Sequence, residues 1–154
     1  MTVDEMLALA RQRLQRLEPH EADDAVRRGS VLIDVRTSEQ RERDGTVPGA
    51  IPIGLNVLEW RADPRSSVHD RRLGLADVPL IVLCAEGYCS SLAASRLIGL
   101  GRDATDVKGG FASWRDSGLP VVGPTVRQDQ PAQREKSRRE RHVRSGDPGP
   151  GDRR

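Results

Sequence analysis

Two cysteines, Cys84 and Cys89, bracket the short loop Ala85-Glu86-Gly87-Tyr88 in the middle of this chain. Ahead of them the apolar run Leu80-Ile81-Val82-Leu83 stops at Cys84, and behind them Ser90-Ser91-Leu92-Ala93-Ala94 restarts as a helix. An apolar run of this length reads as a buried strand, and the serines read as a helix start. A thiol at the carboxyl end of such a strand faces the free amides and the positive dipole end of the next helix. Both favour S⁻ over SH, so the spacing predicts a thiolate and sulfur chemistry on an α/β scaffold. A buried cysteine is otherwise just a small hydrophobe. What favours function here is the Gly-containing loop behind Cys84, at the strand end where open parallel sheets hold their ligands.

The elements that must position this loop are partly legible. Met6, Leu7, Leu9, Ala10, Leu14 and Leu17 repeat at helical spacing over about residues 2–17 and predict an amphipathic helix, to pack on the domain or to meet a partner. Pro19 opens a second helix that Gly29 closes, ahead of the apolar strand 31–35. Thr37 and Gln40 stand as a capping box for a helix over 38–44. Residues 54–79 are the least regular part, with a short helix over Leu55–Arg61 and loop around Pro64, Ser66, Ser67 and Pro79. Trp60 is expected in the core, or else at the mouth of the pocket. Gly109 and Gly110 predict a tight turn into a last helix, with Trp114 on its packing face.

Three stretches, taken together and in order, resemble the single-domain rhodanese (sulfurtransferase-like) family. The first is Val31-Leu32-Ile33-Asp34-Val35-Arg36 with Gly45-Thr46-Val47-Pro48-Gly49-Ala50-Ile51-Pro52-Ile53; the second is the Cys84 loop. The third is Asp106-Val107-Lys108-Gly109-Gly110-Phe111-Ala112-Ser113-Trp114 with Gly118-Leu119-Pro120-Val121. The resemblance covers about residues 17–124. It implies an α/β rhodanese-like domain with a central parallel sheet of about five strands flanked by helices. It also implies that Cys84 attacks a sulfane sulfur, becomes a persulfide, and passes the sulfur to cyanide or a thiol. The amides of Ala85, Glu86, Gly87, Tyr88, Cys89 and Ser90 would hold the anionic persulfide. Covalent catalysis of this kind needs mainly a lowered thiol pKa. The partners implied are a small-molecule sulfur donor or a protein thiol acceptor. The alternative is a catalytically quiet rhodanese-like module that binds a partner or senses sulfur or redox state through Cys84 and Cys89.

One departure from the family pattern is chemical. Many members carry arginine as the sixth residue of the loop, counting the nucleophile as first, and that residue is Cys89 here. Glu86 is the only charged residue of the loop. Thiosulfate is therefore expected to be a weak donor, because a charge-assisted contact is about twice as strong as a neutral one. Arg61 or Arg65 could supply the missing charge. Asp34 and Arg36 could serve the site or form an internal ion pair. The lack of a loop arginine also argues against phosphatase chemistry, which grips a phosphate dianion bidentately. Cys89 is either a packing residue or a second thiol that resolves a Cys84 persulfide. Two cysteines at this spacing, with His20, His69 and His142 scattered, match no zinc pattern, and nothing indicates an organic cofactor.

Composition sets the outer bounds. The 154 residues, 36% of them hydrophobic and with a net charge of +2, suffice for one core. The reading is an N-terminal amphipathic helix over 1–16, a rhodanese-like domain over 17–124, and a disordered basic tail over 125–154. The tail has nine basic and five acidic residues. Carboxylates interleave its Arg138-Arg139-Glu140-Arg141 cluster and no aromatic residue accompanies it, which disfavours nucleic acid. The acidic start and the absence of a long apolar run predict neither a signal nor a membrane span. Two cysteines without a disulfide framework suit the cytoplasm. The 23 Arg against two Lys suggest a GC-rich bacterial source. Oligomeric state leaves no signal in the sequence.

Overall fold

The computed structural model describes residues 1–123, so the tail reading lies outside the described residues. Its centre is a parallel sheet of β1 (Val31–Asp34), β2 (Ile51–Pro52), β3 (Leu80–Leu83) and β4 (Ala104–Asp106), in the order β2-β1-β3-β4. Around it stand α1 (Val3–Gln12), α2 (Pro19–Arg27), α3 (Ser38–Asp44), α4 (Leu58–Ala62), α5 (Cys89–Gly99) and α6 (Gly110–Asp116). The sheet has four strands where about five were expected. The difference lies at the β4 edge, where the chain entering α2 contributes a single parallel bridge, Leu17 to Val107, in place of a strand.

β3 pairs with β1 on one side and β4 on the other and is buried along its whole length. Strand alternation sends its side chains to opposite faces. Leu80 and Val82 join Ile33, Leu58 and Leu97 in one core layer, while Ile81 and Leu83 join Leu32, Phe111 and Trp114 in the other. A sheet covered on both faces exposes its functional side chains at an edge, and the carboxyl edge is where Cys84 follows β3.

Capping boxes mark three of the six helix starts, those of α1, α2 and α3. The Thr37–Gln40 capping box is present, with Gln40 N–H donating to Thr37 Oγ1 at 3.2 Å and Thr37 N–H to Gln40 Oε1 at 3.0 Å. The first helix is shorter than the predicted 2–17 and stops at Gln12. Beyond it Leu14 packs with one core layer and Leu17 with the other, which a continuous helix could not achieve. α1 lies against α5, with Ala10 buried between them and Met6 and Leu9 half exposed.

Trp60 is not in the core: it is 59% exposed. α4 buries Leu58 and Ala62, four residues apart, and Trp60 midway between them falls on the opposite face. The irregular stretch between α4 and β3 is instead organised by a buried cation. Arg102 donates to the carbonyl oxygens of Ala62 at 2.5 Å, Leu73 at 2.6 Å and Leu75 at 3.0 Å. These bonds fasten a segment with little regular structure of its own to the end of α5. Among the described residues no helix is long and apolar enough to cross a membrane.

Candidate active site

The turn after β3 is held from two sides. Cys84 is 4% exposed, and its Sγ accepts the Gly87 amide at 3.1 Å. Gly87 reaches this position at φ +86°, and a Cβ there would stand 2.8 Å from the Gly109 nitrogen. Only glycine meets both the left-handed backbone and the close approach. The first amides of α6 grip the other side of the turn: Phe111 N–H donates to the Cys84 carbonyl at 2.8 Å and Ala112 N–H to that of Ala85 at 3.1 Å. That approach leaves no room at Gly110, where a Cβ would lie 2.4 Å from the Cys84 oxygen. The Gly109-Gly110 pair therefore does more than turn the chain into α6, since it lets α6 seat against the loop.

The Cys84 thiol is pulled down to about 5, first by the neighbouring Cys89 side chain and then by the amides of Ser90 and Gly87. Burial opposes the shift. Ser90 has a single hydroxyl proton and gives it to Asp106 Oδ2 at 2.8 Å, so the hydrogen bond that the sulfur accepts is the one from the Gly87 amide. The neighbouring Cys84 drives the Cys89 thiol well above the ordinary range. The two shifts run in opposite directions, Cys84 toward the thiolate and Cys89 toward the thiol. Both cysteines are free, Cys84 buried and Cys89 exposed.

A cavity of about 860 Å³ opens over this sulfur. Ala85, Glu86, Tyr88 and Cys89 line one wall and Arg36, Thr37, Arg41, Leu55 and Asn56 line the rest. Gly87 and Ser90 stand behind the wall: the Gly87 amide faces Sγ, and the Ser90 hydroxyl faces Asp106. Arg61 and Arg65 do not line the cavity. Arg61 donates to the Val68 carbonyl at 2.9 Å and Arg65 pairs with Asp63 at 3.0 Å, both closing a local turn. The positive charge at the cavity comes from α3 and its approach instead, as Arg36 and Arg41. Arg36 is itself committed. Its Nη2 meets Asp34 Oδ2 at 2.8 Å and the Gly45 carbonyl at 2.8 Å, and its guanidinium lies 3.9 Å over the Phe111 ring. The Asp34–Arg36 pair is an internal ion pair that shapes the wall.

Sequence reading overlooked a network behind the loop. Asp106, fully buried at the end of β4, accepts the hydroxyls of Ser90 at 2.8 Å and Ser91 at 2.7 Å and pairs with Arg16 at 2.8 Å. Arg11 Nη2 and Arg16 Nη2 both donate to the Gly87 carbonyl, at 2.8 Å and 3.0 Å. The sequence separations, up to 90 residues, leave no local pattern to detect.

A family model described as Rhodanese-like domain matches residues 18–117. The thiosulfate sulfurtransferase GlpE of Pseudomonas syringae pv. syringae is 33% identical over 102 residues, covering 66% of this chain and 87% of that protein. The tRNA sulfurtransferase of Desulfurococcus amylolyticus is 34% identical over 92 residues, but those span 60% of this chain and 16% of that much longer protein. Among solved structures, a Rhodopseudomonas palustris protein of unknown function, described as a possible tyrosine phosphatase, superposes with a TM-score of 0.73 at 29% identity, covering 79% of this chain and 95% of that one. A rhodanese-related protein from Thermoplasma volcanium gives a TM-score of 0.56 at 25% identity, over 70% of this chain and 96% of that one. The sheet, the cysteine at its carboxyl edge and the family match over well more than half of the residues agree, and the chain belongs to the rhodanese-like family.

Proposed function

We propose that this protein is a sulfurtransferase in which Cys84 carries a sulfane sulfur as a persulfide. The observation that carries the reading is the Cys84 sulfur on the lining of an open cavity, accepting the Gly87 amide at 3.1 Å in a turn whose surroundings lower the thiol pKa. The Cys84 thiolate attacks the outer sulfur of a donor such as thiosulfate. A new S–S bond forms at Cys84, the donor S–S bond breaks, and sulfite leaves with the electron pair. Cyanide or a thiolate then attacks the outer sulfur of the persulfide and restores the Cys84 thiolate. Splitting the transfer into two displacements is the gain that a covalent carrier offers. The amides from Ala85 to Ser90 hold the terminal anion.

The donor set follows from the charges. With Cys89 where an arginine would sit and Glu86 on the rim, the cations that line the cavity among the described residues are Arg41 and the already paired Arg36. Thiosulfate is a weak donor on this account and a persulfide a better one. Phosphatase chemistry, the description attached to the Rhodopseudomonas relative, is disfavoured because no guanidinium stands in the loop to grip a dianion. Free thiols fit a reducing, cytoplasmic setting, with a small-molecule donor and a thiol acceptor as partners.

The test is to incubate reduced protein with thiosulfate, and separately with a low-molecular-weight persulfide, and to read both cysteines by peptide mass spectrometry. One added sulfur on Cys84, removable by cyanide, is the expected result. An unmodified Cys84 with both donors would overturn the reading in favour of a binding module.

A further inference from the structure

Residues 1–17 lie outside the segment that the family model matches, yet two of their side chains reach the back of the sulfur loop. Arg11 projects from α1 and Arg16 from the connection to α2. Arg11 Nη2 donates to the Gly87 carbonyl at 2.8 Å, its Nε donates to Ser91 Oγ at 3.1 Å, and its guanidinium sits 5.8 Å from the centre of the Tyr88 ring. Arg16 donates to the same carbonyl at 3.0 Å while its Nε and Nη2 hold Asp106 at 2.8 Å and 3.2 Å. Gly87 is the residue whose amide faces Cys84 Sγ. Its backbone lies in the left-handed region, so the loop needs external contacts to keep this one orientation.

We propose that Arg11 and Arg16 are positioning residues of the sulfur site: their guanidinium groups clamp the Gly87 carbonyl and so aim the Gly87 amide at Cys84. The N-terminal arm is thereby part of the active-site apparatus and not only a packing helix. The two arginines are not equivalent. Arg16 is neutralised by Asp106, whereas among the described residues Arg11 makes no ion pair with a carboxylate. Arg11 thus adds an uncompensated positive charge behind a loop that lacks the arginine many relatives carry, and it favours the anionic sulfur from the rear. The inference rests on the reading of Cys84 as an activated thiolate.

The test follows the rate at which iodoacetamide alkylates Cys84 in the full chain as a function of pH. Cleavage after Tyr88 separates Cys84 from Cys89, so the two thiols are counted individually by mass spectrometry. The titratable and charged groups around Cys84 are Glu86, Tyr88 and Cys89 on the loop side, Arg36 and Arg41 across the cavity, and Asp106 behind Ser90; all stay in place in the variants used. Arg11→Met is expected to raise the Cys84 midpoint by about one pH unit, with Arg11→Lys recovering part of that shift by restoring the charge. Arg16→Lys keeps a cation for Asp106 but loses the planar fork that spans Asp106 and Gly87 together, and is expected to shift the midpoint in the same direction. Arg11→Gln is the substitute where Arg11→Met does not fold. A merely structural arm would lower the melting temperature of these variants and leave the midpoint unmoved, and that result would overturn the proposal. A wild-type midpoint at the ordinary thiol value of about 8.5 would instead overturn the activated-thiolate reading itself.

Discussion

Two arginine–aspartate pairs with buried carboxylates flank Cys84 at the carboxyl edge of the sheet. Asp34 and Arg36 close the end of β1, and Asp106 and Arg16 close the end of β4. The first pair is local. Its partners are two residues apart and satisfy each other through two side-chain bonds and the Arg36 amide, with Phe111 under the guanidinium. The second joins residues 90 apart and continues outward, through Ser90 and Ser91 to the start of α5 and through Arg16 to the Gly87 carbonyl. The same chemical pair therefore serves two ends: one fixes the wall of a cavity, the other fixes the loop that holds Cys84. A short-range pair is a unit of local structure, and a long-range pair with additional acceptors transmits position.

Substitutions on the two sides can separate these roles. Cys84→Ser has the largest effect, a loss of sulfur transfer of roughly 10³-fold or more in a steady-state thiocyanate assay. Next come Asp34→Ala and Asp106→Ala, each of which strands a guanidinium. Urea denaturation is expected to show a cost of about 3–5 kcal/mol for the fully buried Asp34–Arg36 pair, and a loss of similar sign for Asp106. The comparison is sharpened by reactivity: Asp106→Ala should also lower Cys84 alkylation at mildly acidic pH, while Asp34→Ala should not. Equal effects of both variants on reactivity would erase the distinction.

Cys89 comes third. In the wild type the Cys84 thiolate forms as pH rises through about 5, so reactivity is high at neutral pH and is lost as pH falls through that value. Cys89→Ala removes the largest stabilising contact, and the acid limb is expected to move up by about one unit or more, read as the pH dependence of alkylation. Cys89→Arg tests the missing charge directly. A charge-assisted contact to thiosulfate predicts a gain of about tenfold in kcat/KM for that donor, and no gain would remove charge as the reason for weak thiosulfate use. Arg41→Ala is the smallest change, a few-fold rise in KM for the thiosulfate dianion with less effect on a persulfide donor of lower charge, since a partly solvated charge contributes only about 1 kcal/mol or less.

Where a signal is local, the sequence announced it. The apolar strands, the Thr37–Gln40 box and the cysteine at the end of Leu80–Leu83 are all patterns within a few residues, and each stands where its pattern predicts. Arg36 could be seen beside Asp34 for the same reason. Trp60 was misplaced because hydrophobicity alone does not say which face of a five-residue helix turns inward. Arg61 and Arg65 were candidates by proximity in sequence to an unread segment, and tertiary structure turned them onto Val68 and Asp63. Arg11, Arg16 and Arg102 were invisible as individuals among 23 arginines, since their roles depend on carbonyl oxygens presented by remote turns.

The most direct test of the central claim is a single turnover on isolated protein. Wild type is loaded with a persulfide donor, freed of excess donor, and mixed with cyanide, and thiocyanate is counted per chain. One equivalent from the wild type and none from Cys84→Ser is the predicted result. A Cys84→Ser variant that still delivers an equivalent of thiocyanate, or a wild type that delivers none after loading, would contradict the assignment of Cys84 as the sulfur carrier.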